Sequence, residues 1–314
     1  MKEALFEKKE TKPFLKWAGG KGQLLDEIRV RLPAELKYGK IKTYVEPFVG
    51  GGAVFFHIAQ RYESIEQFIL NDVNEDLIHC YRMVQTRVEE IIEILQVYQK
   101  KYFSLSEEKR KEFYLKIRRD FNREKTQKFS EETAAKLIFL NRTCFNGLYR
   151  VNRKGLFNVP FGRYKNPAIC QKDNLKAASG LLQRAELLCG DFEECCKFAG
   201  KGVFYYLDPP YRPISKTASF TSYAKDDFSE KDQIRLVSFC KQIHKKGAEF
   251  LLSNSDPQNE NPHDHFFEDH YSDFVLERVK ASRAINCKGD KRGRINEIIV
   301  MNYDPEGGEK NEIL

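Results

Sequence analysis

The chain has 314 residues, 41% hydrophobic and 32% charged, which suits one large globular unit or two smaller ones and excludes a disordered, collagenous or membrane-bundle composition. Its net charge of +7 is unevenly spread: residues 1–75 carry +1, residues 76–165 carry +9 and residues 166–314 carry −3. A basic block between near-neutral flanks is either a solvated helical face or the footprint of a polyanion partner, and the asymmetry favours the polyanion.

The opening "MKEALFEKKETKP" lacks an apolar secretion core, and no run reaches membrane-spanning length. The first elements read as strand–turn–helix units: "TYVEPF" a short strand, "VGGG" a turn, "AVFFHIAQRY" a helix and "QFILNDV" a second strand. The middle changes character. "DLIHCYRMVQTRVEEIIEILQVYQKKY", "EEKRKEFYLKIRRDFNR" and "SEETAAKLIFLNR" space their apolar residues as helices do. "TCFNGLYRVNRKGLFNVPFGRYKNP" is rich in Gly, Asn, aromatic and basic residues, which predicts a hairpin and loops. Strands return after about residue 166, in "AELLCGD", "VFYYLDPPY", "AEFLLSNS", "DFVLERV" and "NEIIVMNY". An α/β sheet interrupted by a basic, mostly helical insertion accounts for this order. The boundaries it predicts are 1–75 and 166–314 for the two parts of the sheet domain and 76–165 for the insertion. "NPHDHFFEDH" reads as a surface loop, because its histidine spacing matches no metal scaffold. The eight cysteines form no C-x-x-C pair and read as reduced thiols of a cytosolic protein.

Four places carry chemistry. In "VFYYLDPPY", residues Val203–Leu207 are apolar on both faces, as in a central parallel strand. Pro209 and Pro210 then stop the ladder, and Asp208 is held at the carboxyl end, where open α/β sheets bind ligands. Phe48, Gly50 and Gly52 lie on the first strand-to-helix turn, where glycine serves either a tight turn or the close approach of a ligand. Asp72 ends the second strand and is placed either to accept from ribose hydroxyls or to cap the next helix. Asp191 and Phe192 end a later strand, either as a plain turn or as a hydrogen-bonding and packing pair for an adenine. The glycine turn lacks both G-K-[ST] and the G-x-G-x-x-G spacing. A ligand with an adenosine but no phosphate, such as S-adenosylmethionine, fits that pattern better than a nucleotide.

"PFLKWAGGKGQLL", "YVEPFVGGGAVFF", "NDVNEDLI", "FNGLYRVNRKGLFNVPFGRY" and "YLDPPY", in this order, closely resemble the Dam family of DNA adenine-N6 methyltransferases, the D12 class in its alpha arrangement. The resemblance extends over nearly the whole chain. It implies a Rossmann-like, S-adenosylmethionine-dependent α/β sheet with an inserted target-recognition domain that binds duplex DNA, and no metal. It implies GATC as the site, and a cytoplasmic monomer of bacterial or phage origin. Laid on matching positions, it assigns Trp17 and Lys21 to the cofactor, Lys21 at the methionine carboxylate, with Phe48, Gly50, Gly52, Asp72, Asp191, Phe192 and Asp208 completing that site. Asp208 and the Pro209 carbonyl would accept from the target amino group, while Tyr211 stacks on the flipped base.

DNA contacts are implied for Lys16, Phe145, Asn146, Leu148, Arg150, Asn152, Pro160 and Arg163, with Arg153, Lys154 and Lys165 as further donors. The family pattern carries tyrosine where this chain has Phe145, so a ring is kept and a hydroxyl contact is lost. Two rivals stand beside this reading. One is an N4-cytosine or RNA N6-adenine enzyme; serine in place of Asp208 is the usual N4 pattern. The other is a catalytically idle DNA-binding protein, against which Lys21, Asp72, Asp208 and Tyr211 all argue by being intact.

Overall fold

The computed structural model describes residues 10–17, 19, 21, 24–127, 129–212, 228–282 and 294–305. Within them, β1 (Thr43–Glu46), β2 (Gln67–Asp72), β3 (Ala185–Cys189), β4 (Val203–Leu207), β5 (Glu249–Ser255), β6 (Val275–Ser282) and β7 (Arg294–Met301) form one sheet. The strand order is β3-β2-β1-β4-β5-β7-β6. The first five pair in parallel, and β7 runs antiparallel to both β5 and β6. The order reverses between β1 and β4, so their carboxyl ends open the crevice where such sheets bind ligands. The expected α/β sheet is present, and each strand read from the sequence has its counterpart.

Ten helices accompany these strands among the described residues. They are α1 (Leu25–Val30), α2 (Ala34–Lys37), α3 (Ala53–Ala59), α4 (Glu75–Thr86), α5 (Val88–Ser104), α6 (Glu107–Glu124), α7 (Glu131–Thr143), α8 (Lys172–Leu182), α9 (Glu230–Lys245) and α10 (Phe266–His270). The long periodic stretch after Asp72 is two helices, α4 and α5, parted at Arg87, whose φ of −137° and ψ of 37° leave the helical region. The "NPHDHFFEDH" stretch is more than a loop. It contains α10, because Phe266 and Phe267 are buried and anchor a helical turn.

Successive residues of each strand feed opposite cores, as the two-residue period demands. Tyr44, Phe68, Phe204 and Tyr206 face one side and Val45, Ile69, Tyr205 and Leu207 the other. The first side is continuous with the buried residues of α4, α5, α6 and α7. The basic helical segment therefore has no separate core. α4 in particular packs on β2, β3 and α8. Burying Tyr81, Tyr102, Tyr114 and Phe121 in this shared layer stabilises the fold by about 2 kcal/mol per side chain.

Glu249 on β5 shows how burial couples folding to protons. Burial, then the neighbouring Glu35, pushes its carboxyl up from 4.5 to about 7. The folded state thus holds a proton that the unfolded chain gives up. The associated stability is present at low pH and is lost as pH rises toward 7. Glu249→Gln removes this dependence. In urea denaturation the variant is expected to gain on the wild type by about 2 kcal/mol between pH 5 and pH 8. An equal difference at both pH values would contradict the assignment.

Candidate active site

The crevice at the carboxyl ends of β1, β2 and β4 is a cavity of about 1270 Å³. All nine residues expected at the cofactor line it: Trp17, Lys21, Phe48, Gly50, Gly52, Asp72, Asp191, Phe192 and Asp208. Pro209, Tyr211 and Lys16 line it too.

The turn after β1 is built from within. Asn71, buried at the end of β2, donates to the carbonyls of Pro47 and Gly190 at 3.0 Å each and so fixes the ends of three strands together. Gly52 has φ +70°, and a Cβ there would lie 2.7 Å from the Tyr81 hydroxyl oxygen. That glycine answers to backbone and packing. Asp72 accepts from the amides of Gly50 (3.0 Å) and Asn74 (2.9 Å). The cap of α4 is Asn74, which accepts from Leu77, so Asp72 is not the helix cap. Burial raises the Asp72 carboxyl, and the amide donors oppose that rise.

One end of the cavity is aromatic. Phe192 lies 5.3 Å from Phe48 and 5.9 Å from Phe228, centroid to centroid. Asp191 caps the short turn that follows it and also pairs with Arg235 of α9 at 2.9 Å. The Arg235 guanidinium lies 5.0 Å from the Phe192 ring centre. On another wall, Trp17 stacks on Tyr149 at 5.2 Å, and Tyr149 donates to Asp76.

At the Asp-Pro-Pro-Tyr turn, Lys21 Nζ sits 3.0 Å from Asp208 Oδ1 and 3.7 Å from Glu297 Oε2, and it donates to the Tyr211 hydroxyl. Tyr211 in turn donates to Glu297 at 2.9 Å. The Pro210 carbonyl accepts from Gln233 at 3.2 Å, which ties the turn to α9. Burial opposes the Lys21 charge, but Asp208, Tyr211 and Glu297 together carry its pKa above the ordinary lysine value. Burial raises the Asp208 carboxyl to about 6; Lys21 opposes the rise and Glu297 adds to it. Lys21, expected at a ligand carboxylate, is thus also the counter-ion of Asp208.

The basic hairpin is held by two isolated bridges, Cys144 to Phe161 and Val151 to Phe157. Its expected DNA-facing residues divide into two groups. Phe145, Asn146, Arg150, Pro160 and Arg163 are exposed. Asn146 (φ 53°) and Arg163 (φ 56°) are the two non-glycine residues in left-handed backbone among those described. Leu148 instead packs on the core, and the Asn152 side chain accepts from Lys154 and Leu156 to build the hairpin tip. Half-buried Arg118 of α6 donates to the Val159 carbonyl at 3.0 Å and ties the hairpin to that helix, while Arg119 is exposed.

Sequence reasoning missed Glu297, Phe228 and Arg235. For Phe228 there was a signal: "FSEKD" carries an aromatic residue just before the Ser229–Asp232 capping box of α9. Among the described residues, no group of three or more His, Cys, Asp or Glu could hold a metal ion. No helix there is long and apolar enough to cross a membrane.

A sheet of this order, with an Asp-Pro-Pro-Tyr turn on its crevice, defines an α/β methyltransferase. The family model for the D12 class of N6 adenine-specific DNA methyltransferases matches residues 17–285, and the chain belongs to that family. It is 52% identical to the type II methyltransferase M.MjaIII of Methanocaldococcus jannaschii, over 94% of this chain and 100% of that one. It is 41% identical to the type II methyltransferase M1.LlaDCHI of Lactococcus lactis, covering 93% and 95%. A DNA adenine methylase of Haemophilus influenzae is 36% identical, covering 96% of each. The protein is accordingly a DNA adenine-N6 methyltransferase, and DNA is its substrate.

Proposed function

We propose that the protein methylates N6 of an adenine flipped out of duplex DNA, within GATC, using S-adenosylmethionine. The observation that carries this reading is one cavity joining an aromatic, carboxylate-lined end to the Asp208–Tyr211 turn. The residues fit the cofactor. The Phe48, Phe192 and Phe228 rings suit its adenine, and the Asp72 oxygens keep lone pairs for a ribose. When bound, the cofactor supplies a methyl group activated on a sulfonium. The chain's own residues prepare the acceptor. Adenine N6 is a poor nucleophile because its lone pair is delocalised. Asp208 and the Pro209 carbonyl, each accepting an amino hydrogen, favour a more tetrahedral nitrogen. The two prolines fix the carbonyl's direction, and Tyr211 stacks on the base. Catalysis is then mostly positioning and electrostatics.

We assign target recognition to residues after α4, because α4 itself packs on the sheet. Single-molecule mapping of N6-methyladenine, after expression in a host without DNA methylation, tests base and site together. The expected result is modified adenine in GATC. Another motif would overturn the site, and no modification would overturn the activity.

Arg150 is the strongest candidate for reading a base edge. Its guanidinium donates to the Asn158 side chain at 2.8 Å, which holds it in place on the exposed face of the hairpin. Arg150→Ala is expected to lower kcat/KM on the preferred duplex far more than on duplexes altered at one base pair, eroding about 1–3 kcal/mol of discrimination. A uniform loss on all duplexes would make Arg150 a phosphate contact.

A further inference from the structure

Glu297 reaches the Asp-Pro-Pro-Tyr turn from two strands away in the sheet. It lies on β7, opposite Ser255 of β5 and Val279 of β6, and its side chain is 12% exposed. Its Oε2 accepts from the Tyr211 hydroxyl at 2.9 Å and lies 3.7 Å from Lys21 Nζ. Lys21 meets Asp208 at 3.0 Å, and its ammonium lies 4.3 Å from the Tyr211 ring centre. Three side chains from two segments, the Asp-Pro-Pro-Tyr turn and β7, thus gather around one cation, Lys21. Tyr211 follows two prolines and precedes Arg212, whose side chain pairs outward with Asp264. Its phenol is therefore tied to the sheet through Glu297 and Lys21.

We propose that Glu297 is a positioning residue for methyl transfer: it holds the Tyr211 ring through the phenol and shares Lys21 with Asp208, fixing ring and carboxylate relative to each other before the base enters. This rests on the reading of Asp208 as the acceptor of the target amino group. The charge pattern adds a second consequence. Asp208 is faced by Lys21, by Glu297 from β7, by the buried Glu46 at the end of β1, by Tyr206 of β4 and Tyr211, and by the Ser253 hydroxyl of β5 at 3.5 Å. The Glu297 charge raises the Asp208 carboxyl, so neutralising Glu297 lowers it.

The test is kcat against pH for wild type, Glu297→Gln, Glu297→Ala and Asp208→Asn, on saturating duplex and cofactor. Glutamine keeps an acceptor for the phenol but loses the charge. Glu297→Gln should stay within about 3-fold of wild type at pH 8 and move the acid limb down by roughly half a unit or more. Glu297→Ala should lose about 10-fold or more in kcat while its circular dichroism is unchanged. Tyr211→Phe combined with Glu297→Ala should cost little more than the worse single variant, since both cut the same link. A wild-type rate for Glu297→Ala overturns the proposal. So does an unmoved acid limb in Glu297→Gln, or full additivity with Tyr211→Phe. Asp208→Asn separates the two readings: if it keeps wild-type activity, the role of Asp208 itself has failed.

Discussion

Asp208→Ala is expected to abolish methyl transfer, with a loss of about 10²-fold or more in kcat and duplex affinity within a few-fold of wild type. The carboxylate sits at the end of the central strand with about a fifth of its side chain open to the cavity. Among the described residues, none can replace it as an acceptor aimed from that strand. Ser253 is a weaker acceptor behind it, and Glu46 is already engaged by the Tyr44 hydroxyl at 2.7 Å. The same role fixes the pH dependence. Ionised Asp208 is the stronger acceptor, and burial raises its carboxyl to about 6, so the wild-type rate should rise with pH through that value and level off above it. Single-turnover kinetics from pH 5 to pH 8.5 checks both points. A variant retaining more than about a tenth of the rate would remove Asp208 from the chemistry.

Lys21→Met should be nearly as damaging, by a different route. It deletes the cation from a site holding Asp208, Glu297 and the buried Glu46. Breaking a buried charge pair by removing one partner typically costs about 3–5 kcal/mol of stability. The uncompensated carboxylates relieve themselves by binding protons, so Asp208 moves further above its ordinary range. The sign follows: the variant should be closest to wild type at pH 5 and fall behind as pH rises to 8. Activity at pH 7 should drop as well, because Asp208 becomes protonated. Chemical denaturation at the two pH values is the measurement. A loss independent of pH would mean that Lys21 serves the ligand and not the carboxylates.

The Asp-Pro-Pro-Tyr turn was legible because its pattern is local. An apolar run, an acid and two prolines are contiguous, and chemistry written in consecutive residues survives without a structure. The glycine turn was half legible. The need for glycine is plain from "VGGG", but its cause at Gly52, the Tyr81 hydroxyl, comes from a helix that the sequence does not place against it. Glu297 was illegible. It sits in "RINEIIVMNY" as one charged residue in an apolar strand, and it meets Lys21 and Tyr211 only because β7 inserts between β5 and β6. The hairpin shows the opposite limit. Its residues were read as one DNA-facing group, but spacing could not separate Arg150, which is exposed, from Asn152, which folds the tip.

The layer shared by α4–α7 and the sheet has an evolutionary consequence. Exchange of a recognition module between enzymes works when the module carries its own interior. Here, excising residues 76–165 would uncover β2, β3 and α8, on which α4 packs, as well as the apolar sides of the helices. With target recognition assigned to the hairpin, changes of site are expected at its exposed side chains, such as Phe145, Arg150 and Arg163, and not by exchange of residues 76–165 as a unit.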